Sequence, residues 1–320
     1  VPDFIHQAFV TGAATGEFPD GSVPGTIDLA SIFHAHSPAS FAAAGHHLDI
    51  PVLLSQGMAD NLFNLNEGWH NFEEVLTANS RSRSIFIGHN GGHALPNALP
   101  LGGGGGTPLT GGGGEACSGA ILGDSAKNRT DLTIAFLSIA FAGGNPQAAL
   151  GASRYNLTTP DGVCIRRATL APDSAVVAGP VVATLAGVGA PLQIAIAAGP
   201  LTVAGIPRLA GKLTAAGSDV RGFFGLAVGT TPLDARVVQN NLMPIRANDP
   251  FPVGGPTPDP APSIAAPIDV ELPGVAVTVD AGETLYLTVS ALSDMFAGFE
   301  SRVPGVLLLE EALVKLPVVP

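Results

Sequence analysis

Two stretches decide the fold: Ile50–Asp60, IPVLLSQGMAD, and Ser84–Pro96, SIFIGHNGGHALP. In the first, Ile50 to Gln56 is an almost continuous apolar run ending near a carboxylate. Such a run predicts a fully buried strand of the kind parallel sheets require. In the second, Arg83 to Gly88 predicts another buried strand, followed by a glycine-rich turn with two histidines. Between them, Asn64 to Glu67 reads N-x-x-E, a capping-box-like helix start. Leu65, Trp69, Phe72 and Leu76 follow at helical spacing, so an amphipathic helix is expected to end near Asn79. Strand, helix and strand together make one βαβ unit.

The unit brings chemistry to one edge. In open α/β sheets, active sites form beyond the C-terminal ends of the strands. Asp60 follows the first strand and His93 the second. An Asp and then a His in that relation form the back half of a Ser, Asp, His order. The imidazole moves the proton, and the carboxylate fixes its tautomer and stabilises the imidazolium. Gly91 and Gly92 would let the turn fold tightly enough to aim the ring. The plainer reading of Asp60 is a helix cap, for which Asn64 is better placed. His89, at the strand end, competes with His93 for the base, and His93 is preferred. His34, His36, His46, His47 and His70 have no comparable setting.

The third member is missing. No serine stands in G-x-S-x-G: Ser125 and Ser153 have only the first glycine, and Ser55 only the second. Cys117 and Cys164 fail the same test. Only 59 residues precede Asp60, too few for the earlier strands of such a sheet, given about 30 per βαβ unit. The chain therefore reads as the C-terminal part of a longer protein.

The remaining sequence changes character along its length. Residues 1–48 read as irregular, with short helices at Ile27–Phe33 and Pro38–Ala44. The glycine runs at 102–106 and 111–114 lack a nucleotide fingerprint and read as a mobile loop. Asp131–Ala142 predicts a helix apolar nearly all round, with Thr130 as its cap and Gly143 as its stop; such a helix packs against a sheet. From about residue 155, short Val, Leu, Ile and Thr runs recur between Gly and Pro turns. In ETLYLTVS, Leu285, Leu287 and Val289 alternate with Thr284, Tyr286 and Thr288. VRGFFGLAV, IDVELPGVAVTV and GVLLLEEALVKLPVV read similarly, and Asn248–Pro267 reads as a Pro-rich surface loop. This half predicts an all-β sandwich or jelly roll.

Bulk properties narrow the classes. The 320 residues suggest two domains, and 41 Gly and 28 Pro suit many turns. With 14 Lys+Arg against 26 Asp+Glu, the net charge is −12, so a nucleic-acid partner is not expected. No apolar segment reads as a membrane span and no targeting signal is legible. Cys117 and Cys164 lack zinc-ligand spacing; one disulfide, implying export, and two free thiols fit equally.

IPVLLSQGMADNLF, IFIGHNGGH, AGIPRLAGKLTAAGSDVRGFFGLAVG and IDVELPGVAVTVDAGETLYLTVSALSDMF, in that order, resemble serine hydrolases of the X-prolyl dipeptidyl-peptidase and cocaine-esterase type. The resemblance covers roughly residues 48 to 318. It implies the C-terminal portion of an α/β-hydrolase sheet over 1–150, with a possible lid remnant at 1–48. A jelly-roll β-sandwich of the galactose-binding-like sort would follow over 151–320. It also implies Asp60 as catalytic acid and His93 as catalytic histidine, no cofactor, and a small ester or peptide substrate cleaved through an acyl-enzyme. The serine and the oxyanion-hole residues have no counterpart, so this chain by itself is expected to be inactive. The glycine-rich insertion at 102–114 departs from the family pattern. The competing expectation is a non-catalytic binding protein with a carbohydrate- or surface-binding jelly roll. A single Trp and two Tyr weigh against it, because sugar platforms need exposed aromatic rings.

Overall fold

The computed structural model describes residues 2–15, 18–22, 26–60, 63–92, 115–185, 191–216, 220–239, 241–246, 266–293, 300–301 and 305–320. The predicted βαβ unit is present. Strand β1 (Leu53–Gly57) and strand β2 (Ile85–His89) pair in parallel, Leu53 opposite Ile85 through Gly57 opposite His89. Helices α4 (Leu65–Val75) and α5 (Ala78–Arg81) lie between them in sequence. Asn64 caps α4, its side chain accepting from the Asn66 N–H. The expected single helix to Asn79 is broken at Leu76, which is extended because its neighbours are tied to Leu48: Leu48 N–H donates to Val75 O, and Thr77 N–H to Leu48 O.

The sheet continues with β3 (Tyr155–Thr158), parallel to β2, and β4 (Cys164–Arg167), antiparallel to β3. Its order is β1-β2-β3-β4. Sheet membership thus runs past residue 150, and a division by sheets falls after Arg167. Period-two alternation gives the sheet two apolar faces. Phe86 packs with Phe72, Leu65, Met58 and Tyr155 on the α4 side. Ile85 and Ile87 pack with Cys117, Ile121, Leu132 and Phe136 on the other. The latter come from α6 (Ala116–Leu122) and α7 (Arg129–Phe141), which precede the short α8 (Pro146–Ala149). The cap of α7 is Asn128, in a capping box with Asp131, and not Thr130. The Asn128 side chain accepts from the N–H groups of both Thr130 and Asp131, so Thr130 is itself one of the residues being capped.

The N-terminal segment carries the two expected short helices and one more that was not expected. Asp3–Thr15 is a helix, α1, and α2 (Leu29–Ala35) and α3 (Pro38–Ala43) follow. Asp28 and Ser37 cap the latter two. α1 was illegible because it buries almost nothing apolar except Ala8, leaving Phe4, Phe9 and Val10 exposed. Phe9 meets Phe18 edge-on at 5.4 Å, a contact between separate segments.

The second half is all β. Strands β12 (Ala266–Glu271), β8 (Arg208–Ala216), β15 (Gly305–Leu316) and β5 (Ser174–Leu185) form one antiparallel sheet. Strands β10 (Arg236–Val237), β9 (Arg221–Gly229), β14 (Thr284–Ser290) and β6 (Leu192–Ala198) form another, with β11 (Met243–Arg246) on β9. A third pair joins β13 (Val275–Val279) to β7 (Leu201–Gly205). One apolar cluster draws on all three sheets, including Leu209, Leu309, Phe224, Leu285, Leu287 and Val277. The β14 alternation holds, but its polar side is covered too: Tyr286 packs with Ala227 and Ala235, and Thr288 donates to Gln193. Of the Pro-rich stretch, 248–265 lies outside the described residues, and Pro267 belongs to β12. The glycine runs at 102–106 and 111–114 also lie outside them.

The halves share a core. Leu170, Ala204, Ile206 and Ala276 complete the apolar cluster around Phe72 and Phe86. Asn66 seals its edge: its amide donates to Leu272 O and Glu271, and its oxygen accepts from Gly274 N–H at 2.7 Å. His70 stands between Glu74 and Glu271, one ring nitrogen to each, at 3.0 and 3.1 Å. Burial opposes its charge, and the two carboxylates more than offset that, so its pKa is raised. This contribution is fully present below the unfolded histidine pKa, about 6.5, and is lost as pH rises through the folded value. His70→Gln should therefore flatten the stability-versus-pH curve between about 6.5 and the raised folded value, as read by urea titrations across the pH range.

Cys117 and Cys164 are bonded, tying α6 to β4 across 47 residues of sequence. The chain-entropy relation assigns a loop of this length roughly 4 kcal/mol. The untreated protein should take up no iodoacetamide and the reduced, unfolded protein two equivalents, and Cys117→Ala/Cys164→Ala should lower the urea midpoint.

Candidate active site

The turns after β1 and β2 lie on one another. Beyond the strand ends the parallel pairing continues: Met58 N–H donates to His89 O at 2.8 Å, and Ala59 N–H to Gly91 O at 3.1 Å. Two glycines make this possible. A Cβ on Gly57 would stand 2.5 Å from Gly91 O, and one on Gly92 would stand 2.4 Å from Asp60 Cα. Gly91 and Gly92 also adopt φ of +133° and +139°, which L side chains disfavour. The main chain at Gly92 therefore rests directly on Asp60.

Asp60 is buried, and its Oδ1 accepts from Phe63 N–H at 2.9 Å. It does not cap α4, which Asn64 does. The sandwich supports this turn from beneath. The buried Asn241 amide donates to Met58 O at 2.9 Å. Gln239, at φ +53°, accepts from the N–H of Ala276 in β13. His93 is the residue after Gly92 and lies outside the described residues.

His89 is committed elsewhere. Its Nδ1 lies 3.0 Å from Ser55 Oγ and its Nε2 lies 2.9 Å from Arg129 Nη1. A guanidinium can only donate, so Nε2 is the acceptor and Nδ1 carries the proton. The ring then donates to Ser55 and cannot deprotonate it, so Ser55–His89 is no nucleophile–base pair. Burial and the Arg129 charge push the His89 pKa down, keeping it neutral. Glu115 in turn holds Arg129, accepting from its main-chain N–H and from Nε. The sequence carries no local sign of this Ser55–His89–Arg129–Glu115 chain, because only tertiary packing brings its members together. Arg129→Gln should raise the His89 pKa and shift Nδ1/Nε2 proton occupancy, both visible in a nitrogen-detected imidazole titration.

The other histidines have structural settings or none: His47 Nδ1 contacts Glu74 O, and His34 sits in the last turn of α2. Among the described residues no group of three or more His, Cys, Asp or Glu is arranged to hold a metal ion. No described helix is long and apolar enough to cross a membrane.

No family model and no curated protein matches this sequence. Solved structures share its fold. A CocE/NonD family hydrolase from Staphylococcus aureus superposes with a TM-score of 0.56 at 10% identity, over 93% of this chain and 60% of that one. An aminopeptidase from the marine sediment archaeon Thaumarchaeota archaeon gives 0.57 at 14% identity, over 87% and 56%. An α-amino acid ester hydrolase gives 0.52 at 12% identity, over 88% and 57%. The likeness is one of fold, and the chain spans 60% or less of the length of each.

Proposed function

We propose that this chain is the acid- and histidine-bearing part of a serine hydrolase, with Asp60 and His93 as two members of a triad whose serine lies upstream of Val1. The observation that carries this reading is the contact of Gly92 with Asp60. The chain segment leading into His93 packs against the main chain of Asp60, a buried aspartate just past the C-terminal edge of a parallel sheet. Both His89 nitrogens are engaged, so the role of base is assigned to His93 rather than His89. The similarity in fold to three hydrolases is in keeping with it.

In this reading His93 takes the serine proton as the hydroxyl attacks an ester or amide carbonyl, and returns it to the leaving group. Asp60 orients the ring and stabilises the imidazolium. Water then releases the acyl group by the same route in reverse. The substrate is a small ester or a peptide. The all-β half is a non-catalytic jelly roll that buttresses the site through Asn241. The disulfide favours an oxidising compartment. A carbohydrate platform is disfavoured: Tyr155 and Tyr286 are buried, and Trp69 packs partly buried against the shared core.

The test uses the product of the complete reading frame. It should label with a fluorophosphonate and hydrolyse p-nitrophenyl acetate. Asp60→Asn should lower kcat roughly 10⁴-fold, and His93→Ala should do so comparably. Full hydrolysis by the His93→Ala variant would overturn the assignment.

A further inference from the structure

The Cys117–Cys164 bond and the clamped His89 ring belong to one continuous path of contacts. Cys117 is the second residue of α6, and Glu115 stands immediately before that helix. The Glu115 carboxylate accepts from Ser118 Oγ at 3.2 Å, from the Arg129 main-chain N–H at 2.8 Å and from Arg129 Nε at 2.9 Å. Arg129 Nη1 reaches His89 Nε2, and His89 Nδ1 reaches Ser55 Oγ. His89 is the last residue of β2, its carbonyl accepts from Met58 N–H, and the turn with Gly91 and Gly92 follows it. The path therefore leads from the sulfurs to the turn after β2.

Helix α6 has only seven residues, too few to persist without tertiary support. It is fastened to β4 at two places. The disulfide holds its first turn, and Arg166 holds its far end, Nη2 donating to Ala120 O at 2.9 Å. With the disulfide cut, Arg166 and the buried Ile121 keep the far end docked, while the turn that carries Glu115 loses its covalent tie. Access to the sulfurs is unequal: Cys117 is 1% exposed and Cys164 half-buried, so an external thiolate meets Cys164 first. The fold also has a place for the resulting thiol. Thr158, opposite Cys164 across the β3–β4 pair, has a buried hydroxyl with no partner among the described residues. A Cys164 thiol on the same face can donate to it.

We propose that the Cys117–Cys164 bond is a redox switch acting on the turn after β2, opened by an external dithiol and closed again by a disulfide. One thiolate of the dithiol attacks Cys164 Sγ, forming a mixed disulfide and releasing Cys117, which takes up a proton. The second thiolate attacks the dithiol's own sulfur in that mixed disulfide and releases Cys164. Two electrons pass to the protein, and the dithiol leaves as an intramolecular disulfide. With the bond closed, Glu115 keeps Arg129 on His89 and the ring is fixed with its proton on Nδ1. With the bond open, the first turn of α6 shifts, Arg129 parts from the ring, and the end of β2 is held by its main chain alone. Every group on the path lies among the described residues, and the proposal is independent of the serine-hydrolase reading.

Nitrogen-detected imidazole spectra of the 320-residue chain, before and after dithiothreitol without denaturant, test this, with His89 identified by its loss in His89→Gln. The charged groups facing His89 are Arg129, Glu115 and Asp60. Opening should raise its titration midpoint, because the Arg129 charge and part of the burial that hold it down are withdrawn. The single Nδ1–H form should give way to a mixture of tautomers. Amide exchange within 115–119 and 89–92 should quicken roughly tenfold, and oxidised glutathione should reverse every change. Arg129→Gln, with the disulfide intact, should reproduce the His89 signature without quickening exchange in α6. Arg166→Gln should leave His89 as it is, and a His89 change there would mean general loosening and overturn the proposal. Iodoacetamide uptake at both cysteines with an unaltered His89 spectrum would also overturn it. So would a bond that resists dithiothreitol until the chain unfolds, or a loss of far-ultraviolet circular dichroism on reduction, since either makes the disulfide a structural staple only.

Discussion

The shared core between the α/β sheet and the β-sandwich is the contact on which the rest depends. Phe72, Phe86 and Tyr155 pack as an aromatic trio with centroids 5.7–5.8 Å apart. Ala204, Ile206 and Ala276 close the cluster from the sandwich side. Four β1–β4 strands alone make a small sheet, and covering both faces is what lets its parallel pairs persist. The sandwich is therefore part of the α/β core rather than an appendage. Gly274 shows how tight the fit is: a Cβ there would stand 2.7 Å from Leu65.

Once that core is set, polar groups at its rim have fixed partners. Asn66 satisfies both its amide and its carbonyl across the junction, and His70 bridges a helix carboxylate and a strand carboxylate. Arg208 binds Asp269 and Glu271 on the same strand, so the acid that His70 meets is itself held in place. Asn241 reaches the turn that bears Asp60. A change in sandwich packing would thus be felt at Asp60 through Met58, two residues away.

Much of this was legible in the sequence where a pattern is local. The β1 and β2 runs, the Asn64 cap and the β14 alternation all depend on neighbours within a few residues. The paired glycines before His93 were read as permitting a tight turn, and both stand at positive φ, with Gly92 packed on Asp60. The α1 helix was not legible, because Thr11 and Gly12 are weak helix formers and its apolar residues follow no buried stripe. The Asn128 cap was passed over for Thr130 because both are capping residues one turn from the same apolar run. The boundary between halves was blurred for a physical reason: β3 and β4 belong to the first sheet but have the short, turn-bounded look of sandwich strands.

The sequence by itself determined the βαβ unit, the all-β second half, and the placing of Asp60 and His93 after successive strands, because each follows from periodicity and from the direction of parallel strands. Tertiary structure alone decided three further matters. Two cysteines equally compatible with thiols became a disulfide when α6 was laid against β4. His89 was removed from contention when Arg129, forty residues away, donated to its free nitrogen. Among the described residues, a strand with the composition of a sheet centre stands at a sheet edge. Each depends on which distant segments meet, and no local pattern encodes that.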